Sequence, residues 1–503
     1  MGGLSSFALS IVSAAILSRY LDKADYGTYR QILYVYNTLL VIFVAGLPNV
    51  FSYFLPRYSI AQGKDVVKKI TRMLFLAGML FSVFLFTFSG IIASLLKNPE
   101  LTLGLKYFSP IPMLLLPTLG IEGIFATYKK TIYIAMYNTL TRLLLLLFMV
   151  LPVILLKGSY LDAMRGWLVG SCISFLLAYY FIRLPFKGIT AEKSYLSYRE
   201  VFAYSLPLVV ASIAGTAIRT ADQFYISRFF GAEVFAEFSN GFIELPFVAM
   251  VTGATSAVLQ PMFSKIIYDK SDISILINLW KNALLKSAVI IYPLVVFFIF
   301  NAYNVVVLLY SKTYANSSIY FQIAMAANFF NIIVFAPLVM AMGKTTFYAQ
   351  VHMVLALCAW IIGYIIIQLF NSPYAIAIFS VSLRIITIMI FLKFAAKLIE
   401  VNLFNLFPVG KLSIVFLHSG LVLAIVSVCT NQLLPQLAVF PKLSLQFSGF
   451  VIVLLATSSL FKLDYTAAFQ PIKDMFLFSR SRIASVKGTE PAQEKGWGDG
   501  NQK

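Results

Sequence analysis

Charge is scarce in this chain: only 12% of its 503 residues are Asp, Glu, Lys or Arg, where a soluble domain carries roughly a quarter. There are two histidines and three cysteines. Cys172, Cys358 and Cys429 all fall within apolar runs, without paired spacing or metal-ligand company, so no disulfide framework and no metal site is expected. They read as packing residues facing lipid or the protein interior. Alternating period-2 strands are missing as well, which speaks against a β-barrel. The chain shows no Gly-rich phosphate loop, no carboxylate pair on an extramembrane domain and no loop long enough to fold alone. No catalytic residue and no cofactor is therefore assigned, the chain is not read as an enzyme, and a polysaccharide polymerase or ligase is disfavoured. The first apolar run leads into "SRYLDKADYG" rather than a small-residue cleavage site, so no cleavable signal is expected.

Apolar residues fill the space instead. They make up 60% of the chain, and the mean hydropathy is +0.86. Runs of about 18 or more apolar residues recur to the end, each long enough to cross a hydrocarbon core of about 30 Å as a helix. The expected fold class is an all-α integral membrane protein with about 14 transmembrane helices. In the first half the expected spans are 4–21, 31–55, 71–96, 107–127, 132–155 and 161–182. The second half gives 202–226, 238–263, 283–306, 319–342, 347–370 and 374–396, followed by 412–429 and 445–461. This predicts a six-helix lobe over 1–183, a linker at 184–199 and a second six-helix lobe over 200–398. An interfacial segment and two further helices occupy 399–462, and a polar, largely disordered tail runs from 463 to 503.

The formal charge of +19 would suggest nucleic acid in a soluble protein, but here the basic residues sit in short loops between spans. Counted in alternate loops, Lys and Arg number about 25 on one side and about 10 on the other, which places both termini in the cytoplasm.

Two stretches repeat one phrase. "ILSRYLDKADYGTYR" at 16–30 and "YISRFFGAEVFAEFS" at 225–239 share Ser-Arg-aromatic, a turn, and spaced aromatics, 209 positions apart. With an even number of spans between them both copies point the same way, as expected of two lobes related by an axis along the membrane normal. The alternative is an ordinary interfacial helix ending, with Arg snorkelling and the ring at the headgroups.

Ionisable groups inside the spans are the strongest functional pointers, because placing one at a helix centre costs about 2.5–3.5 kcal/mol. They are Glu122, Arg142, Arg219, Asp222, Glu244, His352 and Arg384. In the seventh span Ser205, Ser212, Thr216, Arg219 and Gln223 recur along one helical face, matched in the first span by Ser6, Ser10 and Ser13. Asp222 stands three residues after Arg219, so the two either pair structurally or face a cavity. Arg142, with Asn138 and Thr141 on its face, and Arg384 have no acid within one turn, which suits an anionic ligand gripped by the guanidinium fork, or else an interhelical bond. Glu122, in a Pro- and Gly-rich helix that reads as bent, and Glu244, before Pro246, are read as charge-balancing or ion-coupling groups together with Asp222. His352 and His418 read as packing or interfacial histidines.

The stretch "ILSRYLDKADYGTYRQILYVYNTLLVIFVAGLPNVFSYFLPR" resembles the N-terminal region of Wzx-type O-antigen flippases, polysaccharide transporters of the multidrug/oligosaccharidyl-lipid/polysaccharide superfamily. The match runs through Leu17, Ser18, Arg19, Tyr20, Leu21, Tyr26, Gly27 and Tyr29, and "RTADQFYISRFFGAEVFAEFS" looks like the stretch opening the second lobe. The chain departs from the pattern where "MGGLSS" replaces the basic, polar stretch before the first helix. The resemblance implies a flippase of the bacterial cytoplasmic (inner) membrane. It would translocate undecaprenyl-pyrophosphate-linked oligosaccharide, an O-antigen, capsule or exopolysaccharide repeat unit, by alternating access around a cationic cavity. It also implies a Na+ or H+ gradient or the membrane potential as driving force, and polysaccharide-assembly proteins as partners. On this reading Arg142, Arg219 and Arg384 attract the anionic head, an assignment made on depth in the membrane. The alternatives are a lipid II flippase and a multidrug or cation exporter of the same fold.

Overall fold

The structure is a computed structural model that describes residues 2–44 and 46–465. Of the expected tail, residues 466–503 lie outside the described residues, as do the side chains of Ser6 and Ser10.

The first half comprises α1 (Gly2–Tyr20), α2 (Lys23–Val44), α3 (Leu47–Phe54), α4 (Ile60–Leu95), α5 (Glu100–Phe108), α6 (Ile111–Leu115), α7 (Gly120–Thr127), α8 (Thr131–Leu156) and α9 (Tyr160–Arg183). The second half begins with α10 (Tyr198–Gly241), α11 (Pro246–Tyr268), α12 (Ile273–Phe300), α13 (Ala302–Tyr310), α14 (Ser317–Ala326), α15 (Asn328–Asn331) and α16 (Ala336–Ala341). It ends with α17 (Thr345–Phe370), α18 (Pro373–Leu398), α19 (Leu403–Leu406), α20 (Val409–Leu433) and α21 (Val439–Thr457).

Local chemistry sets many of these limits. Ser59 caps α4 by accepting from the Gln62 amide, and Ser159 with Asp162 and Ser197 with Glu200 form reciprocal capping boxes at the starts of α9 and α10. Left-handed Lys157 and Asn371 end α8 and α17.

Ten helical segments among the described residues are long and apolar enough to cross a membrane, or eleven if the bent pair α2 and α3 is one span. The expected first, second, seventh and tenth spans are not among these ten, so ten or eleven of the expected 14 are matched among the described residues. Of these, α2 bends into α3 and the tenth span is broken between α15 and α16. The expected eighth span, 238–263, also needs correction: residues 242–245 are non-helical and the membrane helix starts at Pro246, because a residue preceding proline is driven out of the α region. In the fourth span the anticipated bend is a one-turn 3-10 segment at Leu116–Leu119, with Pro117 near its start.

α10 is itself two arms. Gly231, with φ 83° and ψ −179°, interrupts it, as residues 21–22 separate α1 from α2. Helix, turn and helix thus recur at the same register in both copies of the phrase. Residues 187–197 run without helix along α4, where Lys64 donates to the Ile189 carbonyl at 2.6 Å and the Ser194 hydroxyl and amide donate to Asp65 at 2.6 and 2.9 Å.

Candidate functional site: a polar cavity under an interlocked end

The two copies of the phrase pack on each other. Along α2, Lys23 donates to Glu237 at 2.6 Å, Tyr26 to the Asn240 side chain at 2.6 Å, Arg30 to the Ser239 carbonyl at 2.8 Å and Gln31 to Ser227 at 2.8 Å. Asn316 donates to the same Glu237 oxygen at 3.1 Å, and the carboxylate is 6% exposed. A Cβ on Gly27 would stand 2.1 Å from the Ala232 carbonyl oxygen, so the backbones themselves touch. The two arginines of the phrase act reciprocally. Arg19 donates to the carbonyls of Leu308 and Leu309 in the last turn of α13, and Arg228 donates to that of Leu95, the last residue of α4. The final carbonyls of a helix lack partners and carry partial negative charge, so each guanidinium ties one half of the chain to a helix end of the other.

Beyond this interlock lies a cavity of about 920 Å³. Arg30, Tyr34, Asn37 and Thr38 of α2 form one side; Thr216, Arg219, Asp222 and Gln223 of α10, the 242–245 break, Asn328, Asn331, His352 of α17, and Ser380, Arg384 and Thr387 of α18 contribute to the rest. Among the described residues, three guanidinium groups face it against two carboxylates, those of Asp222 and Glu244.

Four of the six expected site residues meet here. Arg219 is exposed to the cavity, and its guanidinium reaches Thr216, one turn back, at 3.3 Å. Asp222 is buried and accepts from Ser380 at 2.7 Å, and Arg384 lies within reach of its charge. Its partners are thus Ser380 on α18 and, on α10, the Gln223 amide, which donates at 2.7 Å, and not Arg219. Arg384, which has no acid within one turn of its own helix, pairs across helices with Glu244 at 2.9 Å, a partner supplied by the break before α11. Neither end of that pair is deep, with the Arg384 side chain 35% and the Glu244 side chain 69% exposed.

The other two do not line this cavity. Glu122 on α7 accepts from Asn138 of α8 at 2.8 Å, and its charge acts on Arg142 one turn further along α8. Among the cavity residues that went unrecognised in the sequence, Arg30, Tyr34, Asn37 and Thr38 follow one another at helical spacing on α2. His352 also faces the cavity, its Nδ1 2.9 Å from the Tyr348 carbonyl. His418, by contrast, is a buried joint between α20, Thr457 and Tyr465.

The fold is that of known transporters. The lipid II flippase MurJ in an inward closed conformation is similar over 92% of this chain and 97% of that one, at 15% identity and a TM-score of 0.68. An inward-facing multidrug resistance MATE family transporter of the MOP superfamily is similar over 78% of this chain and 94% of its own, at 12% identity and a TM-score of 0.59. A MOP superfamily transporter from Pyrococcus furiosus, described as having a binding pocket of reversed polarity, is similar over 80% and 93%, at 14% identity and a TM-score of 0.55. No curated protein matches the chain in sequence. At these identities the likeness is one of fold, but the sequence of residues 1–267, more than half of the chain, matches the model of polysaccharide biosynthesis proteins, and the chain belongs to that family.

Proposed function

We propose that the protein is a flippase that moves undecaprenyl-pyrophosphate-linked oligosaccharide, a repeat unit of O-antigen, capsule or exopolysaccharide, across the bacterial cytoplasmic membrane by alternating access. The observation that carries this reading is the excess of guanidinium over carboxylate in the cavity, Arg30, Arg219 and Arg384 against Asp222 and Glu244. A guanidinium offers a planar fork of donors that matches phosphate oxygens, and a cavity wall gives such groups a setting that lipid would not. A multidrug or cation exporter would call for the opposite balance.

On this reading the two halves are lobes that rock about the interlock, and both termini face the cytoplasm, as the loop charges suggest. The interlocked end then faces outward and the cavity receives cargo from inside. Arg219 and Arg384 hold the pyrophosphate, joined by Arg30. Asp222, buried against Ser380, is the carboxylate proposed to couple transport to a Na+ or H+ gradient. Arg142 and Glu122 balance each other in the first lobe.

The test is reconstitution in vesicles with a fluorescent undecaprenyl-diphosphate oligosaccharide and, in parallel, fluorescent lipid II. Faster flipping of the oligosaccharide by the wild type than by Arg219→Ala/Arg384→Ala supports the proposal. Flipping of lipid II alone would move the protein to a peptidoglycan role, and flipping of neither would refute the assignment of a diphosphate-linked cargo.

A further inference from the structure

One short piece of backbone joins the interlock to the cavity. The second arm of α10, residues 232–241, carries Glu237, Ser239 and Asn240, which hold Lys23, Arg30 and Tyr26 of α2. It then runs directly into the non-helical residues 242–245, on which Glu244 stands. The far end of the same piece is tied to α18 through the bond from Arg384 to Glu244.

That tie is unusual in its exposure. Two thirds of the Glu244 side chain faces open space, and among the described residues its recorded bond is to Arg384. Irregular backbone at membrane depth is tolerated where it lines a cavity, and it can re-aim a side chain without melting a helix. A carboxylate on a guanidinium presents the same pattern of oxygens to N–H donors that a phosphate does.

We infer that Glu244 occupies, on Arg384, the place of the cargo's phosphate in the empty protein, and that an arriving prenyl diphosphate expels it, freeing residues 232–245 and loosening the hold of Glu237 and Ser239 on α2. This rests on the anionic cargo proposed above. Occupancy of the cavity is thereby conveyed to the closed end through a single stretch of chain, and an uncharged lipid leaves the end shut.

The experiment uses the full-length protein in lipid nanodiscs, farnesyl diphosphate as probe and farnesol as the uncharged control. Calorimetry should show the wild type binding the diphosphate in preference to farnesol, Glu244→Gln binding it about tenfold tighter, Glu244→Asp binding it as the wild type does, and Arg384→Gln losing it. Hydrogen exchange across 232–245 should quicken when the wild type binds the diphosphate, and should already be quick in ligand-free Glu244→Gln. If the wild type binds the diphosphate but Glu244→Gln binds it no tighter, or if exchange in this stretch is unchanged in every state, the inference fails while the anionic cargo stands. If none of these proteins prefers the diphosphate to farnesol, the cargo reading falls and the inference with it.

Discussion

The guanidinium of Arg30 lies 2.8 Å from the carbonyl oxygen of Ser239, the residue that occupies its own place in the second copy of the repeated phrase, 209 positions on. In a two-fold arrangement equivalent positions meet only near the axis. On the two-lobe reading the pair lies at the pseudo-symmetry axis, between α2 and the second arm of α10, and each copy of the phrase supplies half of a mutual grip. The arginine that precedes each turn completes it by binding a helix end in the opposite half.

The ion pair beside that axis should be strongly coupled. Glu237 is almost wholly buried and Lys23 is a quarter exposed, so removing the lysine strands a carboxylate that, among the described residues, only Asn316 still serves. Lys23→Met should destabilise the protein by about 3 kcal/mol, whereas Lys23→Met/Glu237→Gln should recover about 2 kcal/mol of that loss, since no unpaired charge is left. Chemical unfolding of both variants in detergent checks this. A double variant no more stable than the single one would mean that the pair contributes little.

Cavity position separates Arg384 from Arg142 functionally. Arg384→Ala removes a cavity guanidinium and leaves Glu244 to face the cargo, so glycan export in a complementation assay should fall by two orders of magnitude or more, on the order of 3 kcal/mol. Arg142→Ala acts on a site between α7 and α8 that does not line the cavity, and export should stay within a few-fold of wild type. Equal loss in both, with both proteins inserted in normal amount, would show that the path of the cargo extends past Arg142.

These two arginines also show where sequence reading reached its limit. Periodicity along α10 located Arg219 and Asp222, because a helix places residues three and four apart on one face. It could not supply partners from another helix: the choice of Ser380 and Arg384 over Arg219 as neighbours of Asp222, and of Glu244 for Arg384, depends on how α18 and the break before α11 pack. Hydropathy located most spans for a similar reason, since burial in lipid acts on averages over a window. It passed over Pro246 and Gly231, where one residue's backbone geometry outweighs an apolar average. Arg30 escaped notice because it precedes the expected span 31–55, whereas α2 begins at Lys23 and carries it in its third turn.

Two glycines at the interlock should fail for different reasons, which makes them a test of the geometry there. Gly231 has φ 83° and ψ −179°, a region essentially confined to glycine, yet a Cβ added to it would meet nothing within 4 Å. Its substitution therefore costs backbone strain alone, and Gly231→Ala should lose about 1–3 kcal/mol while the contacts of α2 persist. Gly27 lies inside α2, so its need is for space: a methyl group would overlap the Ala232 carbonyl, and backbone cannot swing aside as a side chain can. Gly27→Ala should force α2 off the second arm and lose about 3 kcal/mol or more. Hydrogen exchange distinguishes the two, with protection falling across both α2 and residues 232–241 in Gly27→Ala but staying high in α2 for Gly231→Ala. A Gly27→Ala protein with wild-type stability and wild-type protection would mean that the two copies do not approach as closely as the 2.1 Å overlap requires.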